Sequence, residues 1–203
     1  MSRTARTCAA FALLVGASVL TSCGDGSDAA PTPAPSESAE SSGSPSSSPQ
    51  GGAPTVSNPL DAASLSADPC AALSAKQLAE LGLAEGETRP NEQFEGEACR
   101  WQATEESLDS VDVTALDNTD GLGGVYATKD QNDYFEPTEV AGYPAVYSGL
   151  IDARDSGTCN LWVGVNDQTV LHILTNLASA DSADASCGFA ADVAESTIST
   201  LGG

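Results

Sequence analysis

The chain has 203 residues and a formal charge of −22, from 29 acids against seven bases. Two of the bases, Arg3 and Arg6, sit at the very start, so the remainder sets only Lys76, Arg89, Arg100, Lys129 and Arg154 against all the acids. So acidic a surface is repelled by nucleic acid phosphates and anionic lipid headgroups, which excludes nucleic acid as a partner; its plain role is solubility.

Arg3 and Arg6 followed by an apolar run from Cys8 to Leu20 have the layout of a cleaved secretory signal over residues 1–22, too short for a bilayer span. The segment ends Leu20, Thr21, Ser22, Cys23, which resembles the lipobox of bacterial lipoproteins. That resemblance implies diacylglycerol on Cys23 and a lipid-anchored protein on the outer face of the cell membrane. Each buried lipid methylene contributes about 0.8 kcal/mol, so two or three acyl chains hold firmly. From Gly24 to Ser57 the chain is almost entirely Ser, Pro, Ala and Gly, a composition that cannot bury enough apolar surface to offset its ordering entropy. Residues 23–57 are therefore expected to be an unstructured tether, with a mean reach on the order of 30 Å and a taut reach of about 110 Å.

Residues 58–203 are the size of one ordinary domain. Asp68, Pro69 and Cys70 open its first ordered element, and Ser74 with Gln77 forms a capping box. Leu78 and Leu81 share one helical face, and Gly82 is placed to end the helix in the left-handed conformation. Cys99 and Trp101 alternate with Arg100 and Gln102, and Val111, Val113 and Ala115 alternate with polar partners, so residues 98–104 and 111–115 read as strands. Leu122, Val125 and Tyr126 give residues 118–128 the spacing of a short helix, weakened by glycines. Two short strands follow, around 138–140 and 145–150, joined at Gly142, Tyr143 and Pro144.

Residues 160–165 and 169–177 are the most strand-like in the chain, and Asn166 with Asp167 supplies hairpin turn chemistry. Val170, His172 and Leu174 share one face of the second strand while Leu171 and Ile173 share the other, which predicts a central strand covered on both sides. Cys187, Ala190, Ala194, Ile198 and Leu201 then fall at helical spacing. The sum predicts an α+β domain: a twisted, mainly antiparallel sheet of about five to six strands, with the N- and C-terminal helices packed on one face.

With Cys8 cleaved away and Cys23 acylated, four cysteines remain, at 70, 99, 159 and 187, an even number in an exported chain. Two disulfides are expected. Three pairings exist; Cys70 with Cys99 and Cys159 with Cys187 is preferred because each closes a loop of about thirty residues within one half of the domain, tying a terminal helix to a tryptophan-bearing strand. Zinc is the rival use of four cysteines, but no close Cys-x-x-Cys pair is present.

Asp68, Pro69 and Cys70, then Leu81, Gly82 and Leu83, then Ala98, Cys99, Arg100 and Trp101, with Cys159 and Cys187, resemble the actinobacterial lipoproteins grouped as domain of unknown function 3558. The resemblance covers about residues 58–201 plus the lipobox. It implies an extracytoplasmic, lipid-anchored protein of unassigned activity and supplies no catalytic residues to carry over.

The sole histidine of the chain, His172, lies mid-strand, where packing is the plain reading and no nucleophile or metal motif accompanies it. Asp117, Asn118, Thr119, Asp120 and Gly121 form a loop of oxygen ligands in which Asp117 and Asp120 are a weak calcium candidate. The loop lacks the terminal glutamate of the calcium motif, and a helix cap is the simpler reading. Tyr126, Tyr134, Phe135, Tyr143 and Tyr147 cluster in the central third, where core packing competes with a ligand cleft or partner surface. Arg100 is expected to face water from between two inward residues.

No catalytic set and no cofactor emerge. The expected function is a noncatalytic module that meets an envelope protein partner, with the membrane reached through the lipid on Cys23. The alternative is a small-ligand carrier with an apolar cavity between sheet and helices; a hydrolase ranks below both, and a buried His172 would count against it.

Overall fold

The computed structural model describes residues 50–104, 107–117 and 120–203, all within the compact unit Pro45–Gly203. The expected signal at 1–22, Cys23, the tether as far as residue 49, and Asn118 and Thr119 lie outside the described residues.

A 3-10 turn at Gln50–Gly52 leads to α1 (Ala63–Ala67), a 3-10 turn at Pro69–Ala72, and α2 (Ala75–Leu81). The strands β1 (Glu87–Pro90), β2 (Glu97–Gln102) and β3 (Ser110–Leu116) follow, then α3 (Leu122–Ala127). The chain continues through β4 (Tyr134–Val140), β5 (Tyr143–Gly149), β6 (Asn160–Gly164) and β7 (Val170–Asn176), and closes with α4 (Ala183–Leu201). The strands form one sheet in the order β1-β2-β3-β7-β6-β5-β4, antiparallel at every neighbour. The α+β class holds, with seven strands.

The extra strand is β1. Its sequence, Glu-Thr-Arg-Pro, has no apolar alternation because it lies at the sheet edge and pairs only with β2. The other edge, β4, carries Pro137 and the acids Glu136 and Glu139, features that discourage pairing with a further chain. The β4–β5 turn falls at Ala141 and Gly142, with φ of 49° and 82°, and not at Gly142–Pro144. Two positive φ values in succession match the right-handed twist of a tight hairpin. Pro144 lies outside the β5–β6 pairing, so its missing N–H breaks no ladder bond there.

Local chemistry sets several boundaries. Ser74 and Gln77 form the capping box of α2, and Gly82 ends that helix at φ 68°. In the β6–β7 turn, Asn166 Oδ1 accepts from the N–H groups of Gln168 and Thr169 at 2.9 and 2.7 Å. The α3 helix begins only at Leu122, and its N-cap, Gly121, has no side chain to cap it and stands at φ 57°. Ser182 caps α4 through the N–H of Ala185.

One face of the sheet builds the main core. Leu161, Val163, Leu171 and Ile173 meet Ala190, Val193, Ala194 and Ile198 of α4, and all are buried. Full burial of each Leu or Ile side chain contributes about 1.5–3 kcal/mol. Alanines on the helix let it approach the strands closely. Leu65 of α1 and Leu73 and Leu83 beside α2 extend this layer over β2 and β3, so the terminal helices share one face. The disulfides are Cys70–Cys99 and Cys159–Cys187. The first joins the Pro69–Ala72 turn to β2, which bears Trp101, and the second ties α4 to the start of β6, which bears Trp162.

A second, smaller core lies on the opposite face, where Leu122 and Tyr126 of α3 and Ala53 pack on Leu116, Val146 and Val170. Ala53 is buried and Val56 touches the main core, so the expected boundary between residues 57 and 58 falls inside a packed segment. Leu60 fixes that segment to the sheet end: its N–H donates to the Val165 carbonyl at 2.8 Å and its own carbonyl accepts from Asn166 Nδ2 at 2.9 Å.

Candidate functional site

The second sheet face holds the polar residues that the core face excludes. Along β3, Val111, Val113 and Ala115 point into the main core, while Ser110, Asp112 and Thr114 alternate onto the other side and are buried there as well. The strand register aligns them with their neighbours. One row crosses the sheet as Pro137, Val146, Trp162, His172 and Thr114, and the next as Asn160, Leu174, Asp112, Arg100 and Glu87.

The loop between β1 and β2 lies over this surface. Phe94 sets its ring edge-on against Trp162 at 5.3 Å and against His172 at 5.4 Å. Asn91 Nδ2 donates to Thr114 Oγ1 at 2.8 Å, while Asn91 Oδ1 accepts from the N–H groups of Gln93 and Phe94. Between loop and sheet remains a cavity of about 70 Å³, whose walls include Arg89, Arg100, Asp112, Thr114 and His172.

His172 is only 2% exposed. Its ring stacks on Trp162 with centroids 4.0 Å apart, and Nε2 lies 2.9 Å from Asn160 Oδ1. Because an amide oxygen only accepts, Nε2 carries the proton of the neutral ring. Burial pushes its pKa down to about 3, since the charged form has no water to solvate it. A group so weakly basic cannot shuttle protons near neutral pH, and its partners are those of a packing residue.

Arg100 does not simply face water. It grips Asp112 in a two-pronged ion pair, Nε at 3.0 and 3.1 Å and Nη2 at 2.7 Å, and Asp112 is 8% exposed. That hydrogen bonding raises the arginine pKa further above its already high value. In the sequence, β2 alternation places Arg100 on the side opposite Cys99 and Trp101; only the packed loop reveals that this side is covered.

The aromatic residues of the central third do not converge on one cleft. Tyr126 and Phe135 form an edge-on pair at 4.8 Å on the second face, whereas Tyr143 and Tyr147 pack with the main core. Tyr134 accepts from the Asn160 N–H through its hydroxyl and lies under the Arg154 guanidinium at 4.1 Å. Arg154 is further clamped by Asp152 and Glu136 at 2.8 and 3.0 Å. Asp117 and Asp120 are both exposed, and Asp117 accepts the Ser66 hydroxyl at 3.3 Å. Among the described residues, no group of three or more metal-binding side chains is found.

The family model described as Protein of unknown function (DUF3558) matches residues 18–200. The chain belongs to this family. No curated protein and no solved structure matches it. The match takes in both disulfides of this DUF3558 chain and the whole of the loop-covered face.

Phe94, Asn160, Asp112 and Thr114 carry no sequence signal of a site. The alternation of Ser110, Asp112 and Thr114 with valines resembles a half-exposed strand, and nothing local tells that a loop twenty residues earlier in the chain returns to cover it. A second concavity, about 630 Å³ and open to solvent, lies between α2 and α4. There Gln77 Nε2 donates to the Ser196 carbonyl at 2.7 Å and Thr200 donates to Gln77 Oε1 at 3.1 Å, so its polar groups already hold the two helices together. Among the described residues no helix is long and apolar enough to cross a membrane.

Proposed function

We propose that this protein is a noncatalytic binding module, held outside the cytoplasm by lipid on Cys23, that meets a partner protein through Leu108, Leu150 and Ile151. The observation that carries the reading is their exposure, 84%, 69% and 74%, in a domain whose other large aliphatics are substantially covered. Leu108 lies on the β2–β3 loop, and Leu150 and Ile151 on the loop after β5; antiparallel pairing brings both loops to the same end of the sheet. The segment that leads in from the N-terminal side is fixed at the other end, where Leu60 bonds Val165. Asp109 and Asp155 flank the tip, while Asp152 is already paired with Arg154, so the fitting partner offers an apolar recess.

The neutral, enclosed His172 supports the noncatalytic half of this reading. The packing of Leu161, Val163, Leu171 and Ile173 on Ala190 and Val193 favours the partner reading over a carrier cavity between the sheet and α4.

A photo-crosslinking side chain at position 150 of the lipidated chain in living cells tests the proposal. Crosslinking to one partner should fall at least about tenfold when Leu108 and Ile151 become Ser, which corresponds to losing roughly 1.4 kcal/mol of apolar contact. Equal crosslinking by that variant, or stronger crosslinking from position 76 on α2, overturns it.

A further inference from the structure

We propose that the β1–β2 loop is the removable cover of a ligand site on the second sheet face, and that the site takes a flat aromatic ring bearing a carboxylate. Arg89 and Arg100, two of the five bases beyond Cys23, line the cavity beneath the loop, beside the stacked Trp162 and His172. Arg100 is already paired with Asp112, so the cation left for an anion attached to a planar group is Arg89, beside the aromatic platform.

The loop itself supplies both parts of such a ligand. Phe94 places a ring against Trp162 and His172, and Glu92, two residues earlier, places a carboxylate 3.6 Å from Arg89. Raising the loop removes the ring and the carboxylate together, exposing the aromatic platform and freeing Arg89. Arg100 keeps its bond to Asp112.

The loop is built to leave as a unit. Its turn is closed internally, by Asn91 N–H to the Gly96 carbonyl at 3.0 Å and by the two N–H groups on Asn91 Oδ1. The bond from Asn91 to Thr114 and the Phe94 ring contacts fasten it to the sheet. Gly96, at φ 121°, stands where it rejoins β2, with backbone freedom that a side chain would remove.

Benzoate is the probe and benzyl alcohol its uncharged analogue, titrated into the full lipidated chain while the Trp162 indole and His172 ring resonances are followed. Phe94→Ala should bind benzoate about tenfold more tightly than the unaltered chain, the scale set by an aromatic contact no longer competing. Thr114→Val, which removes the acceptor of Asn91 Nδ2 and leaves both the internal bonds of the turn and the Phe94 ring in place, should also tighten binding, and it serves as the second loop variant if Phe94→Ala does not fold. Adding Arg89→Gln to either should weaken benzoate several-fold and leave benzyl alcohol unchanged. The proposal is overturned if benzoate shifts neither resonance in any of these chains, if neither loop variant binds it more tightly, or if benzyl alcohol binds as well as benzoate.

Discussion

Trp162 and His172 face each other in register on β6 and β7 and stack with a 21° angle between their planes. With Phe94 edge-on to both, the histidine is enclosed by aromatic surface and kept neutral.

Acid should therefore weaken the fold through His172. Its pKa is pushed down to about 3 from an unfolded value of 6.5, so between those limits the unfolded chain binds the proton that the folded chain refuses. Stability contributed by the neutral ring is complete above pH 6.5 and is lost as pH falls towards 3. Urea unfolding should show about 2–3 kcal/mol lost between pH 7 and pH 4.5. His172→Leu should lose less over the same interval, whatever its stability at pH 7. Equal pH slopes in the two proteins would show that His172 does not govern this window.

The Arg100–Asp112 pair should respond asymmetrically to mutation. Arg100→Leu leaves a buried carboxylate without its cation and should cost roughly 2–4 kcal/mol, whereas Arg100→Leu with Asp112→Leu should recover much of that loss. Denaturant midpoints of the two variants decide the matter. A double variant as unstable as the single would mean that the arginine contributes mainly through packing.

Each disulfide closes a loop of similar length, with separations of 29 and 28 residues. On the loop-entropy model either contributes about 3.6 kcal/mol. Replacing Cys159 and Cys187 by Ser should lower thermal stability by about as much as replacing Cys70 and Cys99, read as the difference in unfolding free energy under oxidising conditions. A much smaller effect for one pair would show that its neighbouring contacts already restrain the unfolded chain.

Gly157 and Gly202 separate two costs of adding a side chain. Both have positive φ, 89° and 92°, but a Cβ on Gly157 meets the Leu177 carbonyl while one on Gly202 meets nothing within 4 Å. Gly202→Ala should cost about 1 kcal/mol from backbone strain alone, and Gly157→Ala upward of about 2 kcal/mol, because the backbone must also move. Equal midpoint shifts would mean that the β7 end yields freely.

Periodicity marked β2, β3, β6, β7, α2 and α4, because each has one face in the main core and its apolar residues repeat at the period of its own geometry. It did not mark β1, whose pairing comes from β2, nor the early start of β4, where Glu136, Pro137, Thr138 and Glu139 are exposed on an edge. The face partition of β7 was readable: Leu171 and Ile173 meet α4, while Val170, His172 and Leu174 turn the other way.

The sequence by itself determined the α+β class, the buried central strand and the ends of α2, since these rest on short-range spacing; it favoured Cys70 with Cys99 and Cys159 with Cys187 without choosing among the three pairings, and the structure made that choice. Only the tertiary structure decided that Arg100 meets Asp112, that Phe94 covers His172, and that Leu108 shares a sheet end with Leu150 and Ile151. Those relationships depend on strand order and on loops returning from distant parts of the chain. A period of two or 3.6 residues says which way a side chain points, and the fold alone says what is waiting there.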